Sequence, residues 1–244
     1  MKPMLVTRPE PDAQATRDRL AALDIASVSA PVMSRQTLKA NLPAAEGFAA
    51  LAITSTNALR ALADLEALPA FLSIPVFAVG DRTAHEARLL SFKSVEAADG
   101  TLDSLVTTIA LARLTGPVFY PAGRHLSGDL AQALAPHGLL VVTSPVYEMV
   151  AETGLAADIA AGLADDAYGA VLLYSRRTAE IFATLTASLL ADSVRRNLPM
   201  LCLSENVASP LIENHFTRIL LADHPSEEAM MALALAFARE QTGS

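Results

Sequence analysis

The chain has 244 residues, 52% of them hydrophobic and 18% charged, with a formal net charge of −8 and a pI near 5.1. That balance lacks the Lys and Arg excess that a general nucleic-acid or membrane-surface role needs, so neither partner is expected. One cysteine, Cys202, excludes an internal disulfide, and no apolar stretch reaches the roughly 20 uninterrupted residues that span a bilayer.

The first residues, Met1 to Val6, lead directly into an apolar run with no signal-peptide pattern, so the expected location is the cytoplasm. Apolar runs bounded by turn residues predict strands at about 4–7, 26–30, 49–54, 75–79 and 94–97, then at about 117–120, 139–147, 169–174, 199–203 and 218–222. Helical patterns fall between most of them, at about 11–23, 56–66, 82–90, 101–112, 126–136, 154–164, 176–191, 205–214 and 226–240. Alternating strands and helices with short connections predict an α/β fold with parallel sheets covered on both faces. Ten strands exceed one compact sheet of this kind, and two flavodoxin-like doubly wound domains of about five strands each fit better.

Two segments lack helical pattern and look extended: Ser34 to Leu38, and Ser144 to Val150. The residues between them hold a complete βα set. The expectation is a discontinuous domain, 1–34 plus 149–244, with a second domain, 35–148, inserted in it. Linker strands near 34–38 and 144–150 would pair as a two-stranded ladder and act as a hinge. Two consecutive domains split near 125 are the alternative.

One local pattern recurs. An apolar run ends in Ser, Thr or Gly, and a helix begins. It appears at Thr7-Arg8-Pro9, Thr54-Ser55-Thr56-Asn57, Gly80-Asp81-Arg82-Thr83, Ala122-Gly123-Arg124, Ser175-Arg176-Arg177 and Ser204-Glu205-Asn206. In a parallel sheet the turns after the strands share one edge, where ligands bind. Helix N-termini, hydroxyls and guanidinium groups gathered there suit an anion. No glycine-rich dinucleotide turn, Walker loop or serine elbow is present, and the five histidines form no i,i+4 pair. Cys202 lies in a predicted strand and reads as a buried, inert thiol.

Together these segments resemble the uroporphyrinogen-III synthase family. Leu5 to Pro9 is similar to the family's opening. Ile53-Thr54-Ser55-Thr56-Asn57-Ala58 is similar to its T-S-x-N-A turn, and Val79-Gly80-Asp81-Arg82-Thr83-Ala84 to its V-G-x-x-T-A element. Tyr120-Pro121-Ala122-Gly123-Arg124 resembles its P-x-G-x turn, Val146-Tyr147-Glu148 its V-Y-[EQ] crossing, and Leu173-Tyr174-Ser175 its F-[FT]-S turn. Six motifs stand in the family's order across nearly the whole chain. In the family's second V-G-x-x-T-A-like turn, Ser204 replaces Gly and Asn206-Val207 replaces the usual Thr pair.

The resemblance implies an enzyme that closes hydroxymethylbilane into uroporphyrinogen III, with loss of water and inversion of the last ring through a spiro intermediate. It implies two lobes with a cleft and no cofactor or metal, because the pyrrole nitrogens push the electrons. It also implies a substrate with eight carboxylates. On that basis Arg8, Ser55, Thr56, Asn57, Arg82, Thr83, Arg124, Ser175, Arg176 and Asn206 are candidate substrate contacts. The same Ser, Thr and Asn also read as helix caps. Tyr147 is the candidate acid, since a phenol with a pKa of about 10 stays protonated at neutral pH. The alternative is a tyrosine that only packs against the crossing strand. A monomer is expected, with transient contact to neighbouring pathway enzymes. A non-catalytic two-lobed binder of a polycarboxylate is the competing reading, and a nucleotide or phosphate enzyme is a third that the missing glycine loops disfavour.

Overall fold

A computed structural model describes residues 2–126 and 128–242. Met1 and Ser127, the latter within the helix expected at 126–136, lie outside the described residues. The chain divides into two compact units, Met1–Ser34 with Val150–Ser244, and Arg35–Met149. It begins in the first unit with β1 (Met4–Val6), α1 (Asp12–Ala21) and β2 (Ser27–Ser29). It enters the second along β3 (Met33–Thr37) and continues through β4 (Ala50–Ile53), α2 (Thr56–Asp64), α3 (Leu68–Phe71), β5 (Val76–Ala78) and α4 (Asp81–Leu89). Then come β6 (Val95–Ala97), α5 (Leu102–Leu111), β7 (Val118–Gly123) and α6 (Leu130–Leu134). It returns along β8 (Val141–Ala151), followed by α7 (Ala157–Ala164), β9 (Ala170–Leu173), α8 (Arg176–Thr186) and α9 (Asp192–Asn197). The chain closes with β10 (Met200–Cys202), α10 (Glu205–Glu213), β11 (Ile219–Leu221) and α11 (Glu227–Thr242).

Among the described residues the first unit holds a parallel sheet in the order β11-β10-β9-β1-β2. Counted along that unit's own chain the order is 2-1-3-4-5. The second unit holds the sheet β3-β8-β7-β4-β5-β6, parallel from β8 to β6. Counted from β7, those five strands also run 2-1-3-4-5, so the two sheets are related by a cyclic permutation of the strand sequence. The two crossing strands are neighbours in the sheet. The Leu38 N–H donates to the Val146 carbonyl at 2.8 Å, and the Glu152 N–H to the Val32 carbonyl at 2.9 Å. The partners run in opposite chain directions, so β3 and β8 are antiparallel.

Strand side chains alternate between faces, and both faces of the second sheet are apolar. Leu51, Ile53, Val76 and Phe119 pack with Ala58, Leu59 and Leu62 of α2 and Ala87 of α4. Ala50, Ala52, Phe77 and Val118 pack on the other side with Leu105 and Ile109 of α5 and Leu130 and Leu134 of α6. In the first unit Met4, Val6, Leu172 and Leu201 meet Ala13 and Leu20 of α1 and Met230, Ala234 and Phe237 of α11. Leu5, Val171, Leu173 and Cys202, also fully buried, point the other way, toward α8 and α10. Each such large apolar side chain contributes about 1.5–3 kcal/mol. The short helices α3 and α9 were not expected; four and six residues are too few to display a helical period. No described helix is long and apolar enough to cross a membrane.

Candidate functional site

The second unit places several sequence-predicted residues at the ends of β4, β5 and β7 and midway along β8. After β4, Ser55 takes an extended conformation and accepts a hydrogen bond from the Asn57 N–H at 3.2 Å, which makes it the N-cap of α2. Thr56 is buried at the first helical position. The Asn57 side-chain amide reaches Met149 Sδ on β8 at 3.7 Å, and its oxygen accepts from Arg60 at 3.1 Å. The β4 turn is therefore held to the returning strand.

Gly80 caps α4 with φ −171°, ψ 175° and no side-chain bond. A Cβ there would lie 3.3 Å from the Gly100 Cα, so it is that close approach, and not the dihedrals, that favours glycine. The opening N–H groups of α4 have no acceptor within the helix. Arg82 lies exposed in that first turn, while Thr83 is buried.

Midway along β7 the hydroxyl of buried Tyr120 lies 3.0 Å from Thr54 Oγ1. Burial pushes this phenol above the usual range, the Thr54 bond opposes that, and the Tyr147 and Asp129 charges add to it. Tyr147 stands on β8 opposite Gly123, half-buried against the α2 and α4 core. Arg124 follows; its N–H donates to the Tyr147 carbonyl at 2.8 Å and its guanidinium pairs with Glu148 at 2.8 Å.

In the first unit the corresponding turns follow β9 and β10. Ser175 caps α8, accepting from the Thr178 N–H at 3.1 Å, with the Thr178 hydroxyl 2.7 Å away. Arg176 makes an exposed i,i+4 pair with Glu180 at 2.8 Å. Ser204 caps α10 with φ −164°, ψ 170°, the extended backbone that Gly80 has in the other unit. Any residue adopts that conformation, so the Gly-to-Ser departure leaves the turn intact. Asn206 is exposed in the first turn of α10.

Arg8 has a different character from the other candidates. Its side chain is 10% exposed and pairs with Glu227 at 2.6 Å and Asp12 at 3.2 Å, with a bond to Thr16 at 3.1 Å. The guanidinium also lies 4.3 Å from the Tyr174 ring centroid. Two carboxylates already match its charge, so it is not a cation waiting for a ligand. Glu227 in turn accepts from Tyr174 at 3.2 Å and pairs with Arg19 at 3.1 Å. Burial, then the Glu227 charge, drives the Tyr174 phenol far upward. The sequence shows no sign of Glu227, and although Thr54 and Tyr120 stand within the motifs, nothing in it pairs them. Glu227 is 219 positions from Arg8 and Tyr120 is 66 from Thr54, and no local pattern joins such pairs.

The sequence matches the profile of the uroporphyrinogen-III synthase HemD family over residues 14–232, most of the chain. The chain belongs to the uroporphyrinogen-III synthase family. Its fold is similar to that of uroporphyrinogen-III synthetase from Helicobacter pylori, at TM-score 0.67 and 18% identity, over 97% of this chain and 99% of that one. It is also similar to a mutant uroporphyrinogen III synthase from the extremely thermophilic bacterium Thermus thermophilus, at TM-score 0.56 and 15% identity, over the whole of both chains. No curated protein sequence matches the chain. As a member of this family the chain is an enzyme of haem biosynthesis, cyclising hydroxymethylbilane to uroporphyrinogen III with loss of water and inversion of the last ring.

Proposed function

We propose that the cyclisation is run by a phenol and by the turns that follow the strands, with Tyr147 as the acid. The observation that carries this reading is the packing of Tyr147 at the same sheet edge as the Ser55 cap and the Thr54–Tyr120 pair. The Tyr147 hydroxyl protonates the departing hydroxyl of the bilane, which leaves as water while a pyrrole nitrogen supplies electrons. The phenolate regains its proton when the attacked ring carbon gives one up after closure, so the phenol is restored. No strong nucleophile is needed, and the rest of the work is placement.

Within the second unit, Ser55, Thr56, Asn57, Arg82, Thr83 and Arg124 are the groups suited to substrate carboxylates; within the first unit, taken by itself, they are Ser175, Arg176 and Asn206. The opening N–H groups of α2, α4, α8 and α10 add partial positive charge at those turns. Each exposed contact is worth on the order of 1 kcal/mol, so the charge has to be met many times over. Arg8, already paired with Glu227 and Asp12, shapes the β1 turn in this reading and does not hold a substrate carboxylate. The shared 2-1-3-4-5 strand order supports two flavodoxin-like domains with the boundaries expected from the sequence. A cytoplasmic monomer fits the same reading.

Hydroxymethylbilane supplied to the purified chain should give the type III isomer. Without the enzyme the flexible bilane closes without inversion, so a product mixture of type I alone would end this reading. Tyr147→Phe should lower kcat about a hundredfold, within the range of a positioned general acid, with KM within about twofold.

A further inference from the structure

We propose that Gly123 is a positioning residue for the reaction: it is the seat on which the hydroxyl end of Tyr147 rests, and its missing side chain sets where the acidic proton is presented. This rests on the reading of Tyr147 as the acid. In the sequence, Pro121-Ala122-Gly123-Arg124 marks only a turn.

The strand β7 runs past its pairing with β4. Val118 and Phe119 lie opposite Ala50 and Leu51, whereas Tyr120 to Gly123 are paired with β8. The register slips by one residue between Ala122 and Gly123, so that Ala122 faces Pro145 while Gly123 faces Tyr147. Val146 is the extra residue and is fully buried in the core. A bulge of this kind re-aims the side chain that follows it. Here it puts Tyr147 over the only β7 residue that has no Cβ.

The contact lies at the far end of the ring. A Cβ on Gly123 would come within 3.0 Å of Tyr147 Cζ, 3.1 Å of its hydroxyl oxygen and 3.3 Å of Cε2. Those separations are tighter than ordinary van der Waals contact, so an added methyl displaces the phenol by a few tenths of an ångström. The strand beneath it is held. The Tyr147 carbonyl accepts from the Arg124 N–H, and the next side chain, Glu148, is paired with the Arg124 guanidinium. The ring also packs against the apolar core beside α2 and α4. With the backbone fixed, the displacement falls on the hydroxyl itself. Misplacing a reacting group by about 1 Å costs about a hundredfold in rate, so a few tenths should cost about tenfold or less.

The experiment uses the full chain with 3-fluorotyrosine, which gives four resonances for its four tyrosines. Tyr147→Phe identifies one of them. Gly123→Ala should move that resonance, leave those of Tyr168 and Tyr174 in the other unit in place, and lower kcat about tenfold with KM within about twofold. In the double variant the Gly123→Ala loss should vanish, because the group it acts through is gone. Glu148→Gln, which loosens the clamp without adding volume, should move the same resonance and lower kcat severalfold. Should Gly123→Ala fail to fold, adding Tyr147→Ala, which removes the ring the new methyl meets, should restore the fold, and a pair of substitutions that stays unfolded overturns the proposal. A Tyr147 resonance that stays put, or losses that simply multiply in the double variant, overturns the proposal. Normal turnover by Tyr147→Phe instead defeats the acid reading, and the resonance alone then judges whether Gly123 seats the ring.

Discussion

Replacing Arg8 by Ala separates a cation that holds the protein together from one that holds the substrate. Its side chain is 10% exposed, and its carboxylate partners Glu227 and Asp12 are 20% and 19% exposed. Removing the guanidinium leaves two acidic groups at the end of β1 with no cation between them. Arg19 still reaches Glu227, but from a position 54% exposed, where screening weakens it. The stacking of the guanidinium on Tyr174 is lost as well. Breaking a buried pair costs about 3–5 kcal/mol. The residual solvent access and the help from Arg19 place Arg8→Ala near the lower end, at about 3 kcal/mol. For the first unit that corresponds to a melting temperature lower by about 10 °C. Urea and thermal unfolding followed by circular dichroism would measure it, with Arg176→Ala as the comparison. The exposed Arg176–Glu180 pair is worth only about 0.3–0.5 kcal/mol. Below its transition, Arg8→Ala should bind hydroxymethylbilane with KM within about twofold of the parent. A variant as stable as the parent but with KM raised about tenfold would refute this, because Arg8 would then be spending its charge on the ligand.

Other outcomes follow from the same structure. Burial raises the Cys202 thiol to about 12, so a thiol reagent at neutral pH should leave the folded protein unlabelled and label it once in denaturant. Ser175→Ala should cost about 1 kcal/mol through loss of the α8 cap, read as a lower urea midpoint with unchanged slope. Tyr120, Tyr168 and Tyr174 are all raised by burial in the folded state. The unfolded chain therefore releases those protons first, and the stability they contribute, complete below about pH 10, declines as pH rises beyond it. An unchanged urea midpoint between about pH 8 and about pH 11 would contradict that.

The parts of the fold legible in the sequence are those decided over a few residues. Leu51 to Ile53 and Val171 to Leu173 announce strands because continuous apolar runs of that length suit a sheet buried on both faces. Ser55 and Ser175 announce helix starts because a short side-chain oxygen can reach an N–H two or three residues on. The two extended segments were also visible, since neither carries a helical period. The short helix α9 was not, and the predicted long helix 176–191 stops at Thr186. The candidate site was legible as a set of turns, yet the state of each side chain was not. Arg8 and Arg82 look alike in sequence, both just after a strand, but one is buried between two carboxylates and the other is exposed.

The amino-acid order alone marked the main strands and the longer helices, the serines that cap α2 and α8, and the family the motifs resemble. Tertiary structure decided the rest: that β7 takes the place of the first strand in a permuted 2-1-3-4-5 order, that a bulge turns Tyr147 onto Gly123, and that Glu227 closes on Arg8. Element type and capping depend on sterics and hydrogen bonds within one or two turns of chain. Register, strand order and charge pairing depend on which distant surfaces the buried core brings together.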